Sequence, residues 1–219
     1  GGREWYISPS KKFKDTSIAE TELALLDTLF ARLSALLEEE AFHLFTWVGS
    51  GLQKHYGHLT IAHQDVHGSV PRDKAAELQR RVEQLVKEID PSGSHVAVVH
   101  SERDSKCVLK TKASGDLFNK GHGIRLLCEN LRCNLKDGNI LVCGDSSTDV
   151  PVLEECLRQN ADGVYTIWVT TNAQLREQVR ALCRAHNNTN VAFVSTPEVI
   201  LGAMAQATIR ETCRPRQYT

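Results

Sequence analysis

The sequence predicts an α/β chain in two parts, and three observations carry that reading. From residue 119 onward, short apolar runs alternate with stretches of helical period. Before that point, β-rich runs cluster around two long helical segments, and glycine, proline and aspartate turn signals separate most of the runs. Strict alternation implies parallel strands with crossover helices, whereas clustered runs imply a small sheet covered on one side. The two parts are residues 1–116 and 117–219.

Taken in order, a short strand is expected over residues 4–8. A helix follows over 16–40, with Leu23, Leu26, Phe30, Leu33 and Leu37 on its buried face. FHLFTWV (42–48) and HLTIAH (58–63) are β-rich and read as neighbouring strands. Pro71 sits where a helix can start; Ala75, Leu78, Val82, Leu85 and Ile89 mark its inner face as far as the turn Asp90-Pro91-Ser92-Gly93. Strands at 95–100 and 106–112 complete the first part. The second reads as helix 119–134, strand 139–143, helix 150–159, strand 164–169, helix 172–186, strand 191–195 and helix 197–211.

With 41% apolar and 24% charged residues the chain has the composition of a globular protein, and its formal charge of −1 argues against a polyanionic partner, so no nucleic acid is expected. No apolar run approaches the roughly 20 residues of a membrane-spanning helix, and no membrane is expected. Seven cysteines, an odd number without a CxxC pair, suggest reduced thiols and a cytoplasmic setting. No cysteine and histidine pair has zinc-ligand spacing.

Two segments carry chemistry. In GDSSTD (144–149) an apolar strand runs into Asp145 and Asp149, at the carboxyl end of a parallel strand where ligands of open α/β sheets sit. Two neighbouring carboxylates repel, and Mg²⁺, which takes one or two carboxylates together with water and phosphate oxygens, relieves the conflict. The same residues are also good turn formers, and Asp149 is placed to cap the next helix. Upstream, NKGHG (119–123) offers Asn119 as a cap and puts Lys120 in the first helical turn, where the helix dipole disfavours a cation. An aspartate such as Asp145 with a bound phosphate would compensate it; so would simple exposure to solvent. Gly121 and Gly123 keep the backbone approachable.

A helix opening in KG, followed by a strand ending in GDxxTD, resembles the third and fourth motifs of the haloacid-dehalogenase superfamily, and within it the trehalose-6-phosphate phosphatase family. VSTPEVILGAM (194–204) resembles that family's last segment, and GDSSTDVPVLEECL, YTIWVT and EVILGAMAQATIRE are most similar to its nematode branch. HLTIAHQDV resembles a cap-domain strand of the VTVHYRNV type, with Ala62, His63 and Gln64 at the histidine, tyrosine and arginine positions. Lys110 and Lys112 replace the glutamate and arginine of a VLEVRP-type strand.

The resemblance implies a Rossmann-like core, here partial, and a mobile α+β cap, with 1–116 as cap and 117–219 as the C-terminal part of the core. It implies Mg²⁺, trehalose 6-phosphate as substrate, and hydrolysis through an aspartyl-phosphate. Lys120 would hold the nucleophile and phosphoryl oxygens, Asp145 would bind Mg²⁺, and Asp149 would support both metal and lysine. In the cap, Lys54, His55, His63, Lys110 and Lys112 are candidate sugar-phosphate contacts. The first motif, which carries the nucleophile, is expected in a segment preceding Gly1 of the same protein. Asp65 in QDVHGSV imitates it poorly, since His67 stands where an acid/base aspartate belongs. Without that segment the second part would show a sheet edge, and the chain alone is expected to be inactive. The alternatives are a non-catalytic regulatory or assembly module of a trehalose-synthesis protein, or a phosphatase acting on another sugar phosphate.

Overall fold

A computed structural model describes residues 3–9, 11–110 and 117–212; Lys112 lies outside them. The chain divides into two compact units, Gly1–Phe118 and Asn119–Thr219.

Unit 1 begins with an antiparallel hairpin, β1 (Glu4–Ser8) and β2 (Lys11–Lys14), closed by stacking of Trp5 on Phe13 and by a Lys12–Glu4 ion pair of 2.8 Å. Helix α1 (Glu20–Glu38) starts four residues later than expected. Asp15 accepts bonds from the amide (2.9 Å) and hydroxyl (2.6 Å) of Ser17, holding the preceding segment in a turn, and Glu22 reaches back to the amide of Ala19 (2.8 Å) to start the helix there. Its buried seam is Leu26, Leu29, Leu33, Leu36 and Leu37, rotated from the expected one, with Leu23 and Phe30 at the margin.

The expected strand at 42–48 is a 3₁₀ turn, His43–Thr46. Its aromatic and β-branched content mimics a strand, yet Phe42, Phe45 and Val48, three residues apart, are buried in the core while Trp47 is 84% exposed, a spacing that suits a helical turn and not a strand. Four antiparallel strands then form a sheet in the order β3–β4–β6–β5: β3 (Leu52–His55), β4 (His58–Ala62), β5 (Val96–His100) and β6 (Asp104–Leu109). Helix α2 (Arg72–Ile89) buries Leu78, Val82, Leu85 and Val86. Asp90 ties its end to β5 by accepting the amides of His95 (2.8 Å) and Val96 (2.9 Å). Burial alone would raise this carboxyl, but those donors and the Ser92 hydroxyl hold it down to about 2.

Unit 2 is a parallel sheet in the order β7–β8–β9, formed by Ile140–Gly144, Val164–Val169 and Val191–Val194 and connected by helices. Helix α3 (Lys120–Leu131) packs on α4 (Val150–Asn160), α4 on β7 and β8, and α5 (Ala173–Ala185) on β9. Trp168 is fully buried at the centre; its indole N–H donates to the Thr166 hydroxyl (2.7 Å), which donates to the Val142 carbonyl (3.0 Å). Among the described strands β7 pairs only with β8. Helix α6 (Pro197–Thr212) exposes Val199, Leu201, Met204 and Ile209. No helix among the described residues is long and apolar enough to cross a membrane.

Candidate active site

The site in unit 2 is assembled where the amino ends of α3 and α4 meet the carboxyl end of β7. Asn119 starts α3: its side chain accepts the amide of His122 (3.1 Å), and the His122 ring accepts the Asn119 amide in return (3.1 Å). Lys120 is the first helical residue, and its ammonium donates to Asp149 Oδ1 at 2.5 Å. The positive charge at a helix amino terminus is therefore compensated, as the dipole argument requires, but by Asp149 rather than Asp145.

The other oxygen of Asp149 accepts the backbone amides of Asp145 (3.1 Å) and Ser146 (3.3 Å) and the Ser146 hydroxyl (3.3 Å). This closes the 3₁₀ turn Ser147–Asp149 from below. Asp149 occupies the cap position of α4 but makes no side-chain cap bond to that helix; its carboxylate is turned back toward Lys120. Burial by itself would raise the Asp149 pKa, yet the Lys120 ammonium and the Asp145 amide carry it below the ordinary carboxylate value. The Asp149 side chain is 14% exposed and that of Lys120 48%, so the pair is wetted from the lysine side.

Two glycines make this possible, for reasons that spacing did not disclose. A Cβ on Gly121 would stand 2.5 Å from the carbonyl oxygen of Pro151, so the approachable backbone expected here admits α4. A Cβ on Gly144 would stand 2.7 Å from the Trp168 ring and 2.9 Å from Asp149 Cβ. The glycine immediately before Asp145 is thus the spacer between the core tryptophan and the site carboxylate. Ser146, with two donors on Asp149, is a further contributor whose place in the sequence marks it only as a turn former.

For Mg²⁺, the donor set fits. Asp145 is exposed at the end of β7, beside Asp149, and hard carboxylate oxygens with room for water are what this ion takes. Both Asp149 oxygens are engaged with Lys120 and the turn amides, so an ion bound here would have Asp145 as its direct ligand and Asp149 as support. Among the described residues, no cluster of three or more histidine, cysteine or acidic side chains is arranged to enclose a metal.

The candidate contacts of unit 1 are not gathered into one place. Lys54 pairs with Asp27 and lies 5.8 Å from the Phe30 ring centre, at a cavity of about 460 Å³ shared with Arg3, Lys14, His55 and Tyr56. Neither His63 nor Lys110 lines that cavity. His63 is buried, 3.0 Å from the Gln79 amide nitrogen, with burial lowering its pKa. Lys110 donates to the Gly93 carbonyl at 2.7 Å. Asp65 closes its own loop, accepting the amides of His67 (2.8 Å) and Ser69 (3.1 Å) and the Ser69 hydroxyl, which hold it at about 2. Such a carboxylate is a turn element, not a poised nucleophile.

Residues 1–200 match the family model described as trehalose-6-phosphate phosphatase, C-terminal. The chain is 57% identical over 212 residues to the Caenorhabditis elegans "Alpha,alpha-trehalose-phosphate synthase [UDP-forming] 2", covering 96% of this chain and 17% of that protein. It is 31% identical to the C. elegans "Trehalose-phosphatase", covering 94% of this chain and 46% of the relative. An Aspergillus fumigatus trehalose-6-phosphate phosphatase aligns with a TM-score of 0.40 and 13% identity, over 85% of this chain and 68% of that one. The chain thus spans less than half the length of these two curated relatives, and it belongs to the trehalose-6-phosphate phosphatase family, to the C-terminal part that the family model describes.

Proposed function

We propose that this chain is the C-terminal portion of a cytoplasmic, magnesium-dependent phosphatase that converts trehalose 6-phosphate to trehalose and phosphate. Unit 1 is its cap and unit 2 part of its core. The observation that carries the reading is the 2.5 Å pair between Lys120 and Asp149 with Asp145 on the same turn, in a chain of this family. Asp145 with Asp149 behind it would hold the ion, which when bound neutralises phosphoryl oxygens and lets a carboxylate approach a phosphate dianion.

Lys120 supplies a second positive charge for the oxygens that gain charge in the transition state. Asp149 orients that ammonium and, being held ionised, keeps it from swinging into solvent. The turn amides of Asp145 and Ser146 fix Asp149 in turn. The attacking carboxylate is provided by a segment outside this sequence: its oxygen bonds phosphorus, the bond from phosphorus to the sugar oxygen breaks, the sugar oxygen takes a proton, and water then hydrolyses the acyl phosphate.

A second reading has its own support. Identity is higher to proteins named as trehalose-phosphate synthases (57%) than to one named trehalose-phosphatase (31%), which favours a regulatory or assembly module within a synthase. Phosphate release from trehalose 6-phosphate with Mg²⁺, measured on this chain and on one extended upstream, separates the two. Activity confined to the extended chain, and reduced more than about tenfold by Asp145→Asn, is the expected result. A folded extended chain with no activity supports the module.

A further inference from the structure

Helix α3 ends in a turn whose hydrogen bonds bring two cysteines together. Arg132 adopts the left-handed conformation (φ 55°), the amide of Cys133 donates to the carbonyl of Cys128 (3.0 Å), and that of Arg132 donates to Glu129 (3.3 Å). This six-to-one and five-to-two pairing sets the residue beyond the left-handed position against the one five before it, a contact usually made by two apolar side chains. Here the two are thiols, set on facing sides of that turn by its backbone bonds. Cys128 is buried and Cys133 exposed.

We propose that Cys128 and Cys133 are a redox modification site that closes to an intramolecular disulfide when the protein meets a peroxide. Cys133, open to solvent, reacts first: its sulfur bonds one peroxide oxygen, the O–O bond breaks, and water leaves a sulfenic acid. The Cys128 sulfur then attacks that sulfur, the S–O bond breaks, and the Cys128 proton departs with the oxygen as a second water. Two thiols lose two electrons and one peroxide is reduced to two waters. Cys128 is held in the same turn as Cys133, so the second step is intramolecular and needs no encounter with another molecule. Because the two residues are held across one turn by backbone bonds, closure asks the side chains to rotate toward each other and leaves the helix in place. The site stands independently of the phosphatase reading, which uses neither cysteine.

The experiment exposes the reduced intact chain to a few equivalents of hydrogen peroxide, blocks remaining thiols with N-ethylmaleimide, and maps tryptic peptides without reduction. Cleavage after Arg132 separates LLCENLR from CNLK; the expected result is that these two peptides travel as one linked species that dithiothreitol releases. Cys133→Ser should abolish the species, whereas Cys143→Ser, which changes the other exposed thiol among the described residues, should leave it at the parent level. Linkage of Cys128 to Cys156 or Cys143, or a sulfinic acid on Cys133 beside an alkylated Cys128, would overturn the proposal.

Discussion

Unit 1 and unit 2 bury apolar surface in different ways. In unit 1, the leucines of α1 and the apolar face of α2 interlock with Leu59, Ile61 and Leu109 of a four-stranded sheet, so no one side chain dominates. In unit 2 the core gathers round Trp168, with Val142, Leu153, Leu157, Val164 and Val179, while Leu141 and Tyr165 on the sheet and several apolar residues of α6 are exposed. The candidate site belongs to the unit with the thinner core. Its geometry consequently rests on a few close approaches, at Gly144 against Trp168 and Gly121 against Pro151, where unit 1 would distribute the same load over many contacts.

The largest effect that tests this contrast is Trp168→Ala. Loss of a fully buried tryptophan costs about 3–5 kcal/mol, and it also removes the donor on Thr166. Hydrogen exchange followed by mass spectrometry should show protection lost throughout unit 2 and kept in unit 1. Leu33→Ala, also fully buried, should cost about 2–5 kcal/mol with exchange changes spread through unit 1. Equal loss in both units for either variant would end the contrast.

Next is Gly121→Ala. The new methyl meets a backbone oxygen that cannot rotate away, so α3 and α4 must part, at about 1–3 kcal/mol. The expected signature is loss of phosphatase activity in the extended chain that exceeds what the stability change explains, because the Lys120–Asp149 pair opens. Retained activity would mean the helices yield elsewhere.

Much of this was legible in sequence, and the exceptions have physical causes. The alternation after residue 119 was readable because each parallel strand is a short apolar run cut off by turn residues. Strand β3, LQKH, is mostly exposed and carries no apolar pattern, and β2, KKFK, is an edge of lysines; neither has a signal to read. The acidic turn was legible as chemistry, but which oxygen meets which donor was not. Lys120 and Asp149 lie 29 positions apart, and only the packing of α3 on α4 joins them. Gly121 was legible as a need for close approach, without saying to what.

A smaller effect separates the units by pH. Burial lowers the His58 pKa to about 3 from 6.5, so below pH 6.5 the unfolded chain takes up a proton that the folded one refuses, and unit 1 loses stability progressively down to about pH 3. In unit 2 the marked shift is Glu155, held at about 2 against a model-peptide value of 4.5: burial would raise it, but Arg125 and Arg158 outweigh that. Its contribution is present above pH 4.5 and lost only as pH falls toward 2. Between about pH 6.5 and 4.5, protection, corrected for the intrinsic exchange rate at each pH, should therefore fall in unit 1 and hold steady in unit 2; His58→Gln should shrink the difference, leaving the part that His63 and His55 contribute with the same sign.

The smallest expected change is in the stability of Lys120→Ala. Half-exposed pairs of this kind contribute about 0–1 kcal/mol, so its melting temperature should stay close to the parent's while turnover of the extended chain falls. A melting loss of the size seen for a core substitution would assign Lys120 to the fold.

The close approach of Gly121 to Pro151 bears on how such sequences diverge. Its cause is steric, the seating of one helix on another, and owes nothing to phosphate, metal or lysine. A descendant that abandoned the chemistry would be free to change Lys120 and Asp149 but would still be held to glycine at the next position. In such a lineage the glycine would outlast its neighbour, a fossil of the architecture, and its presence in a relative testifies to the fold and not to the reaction.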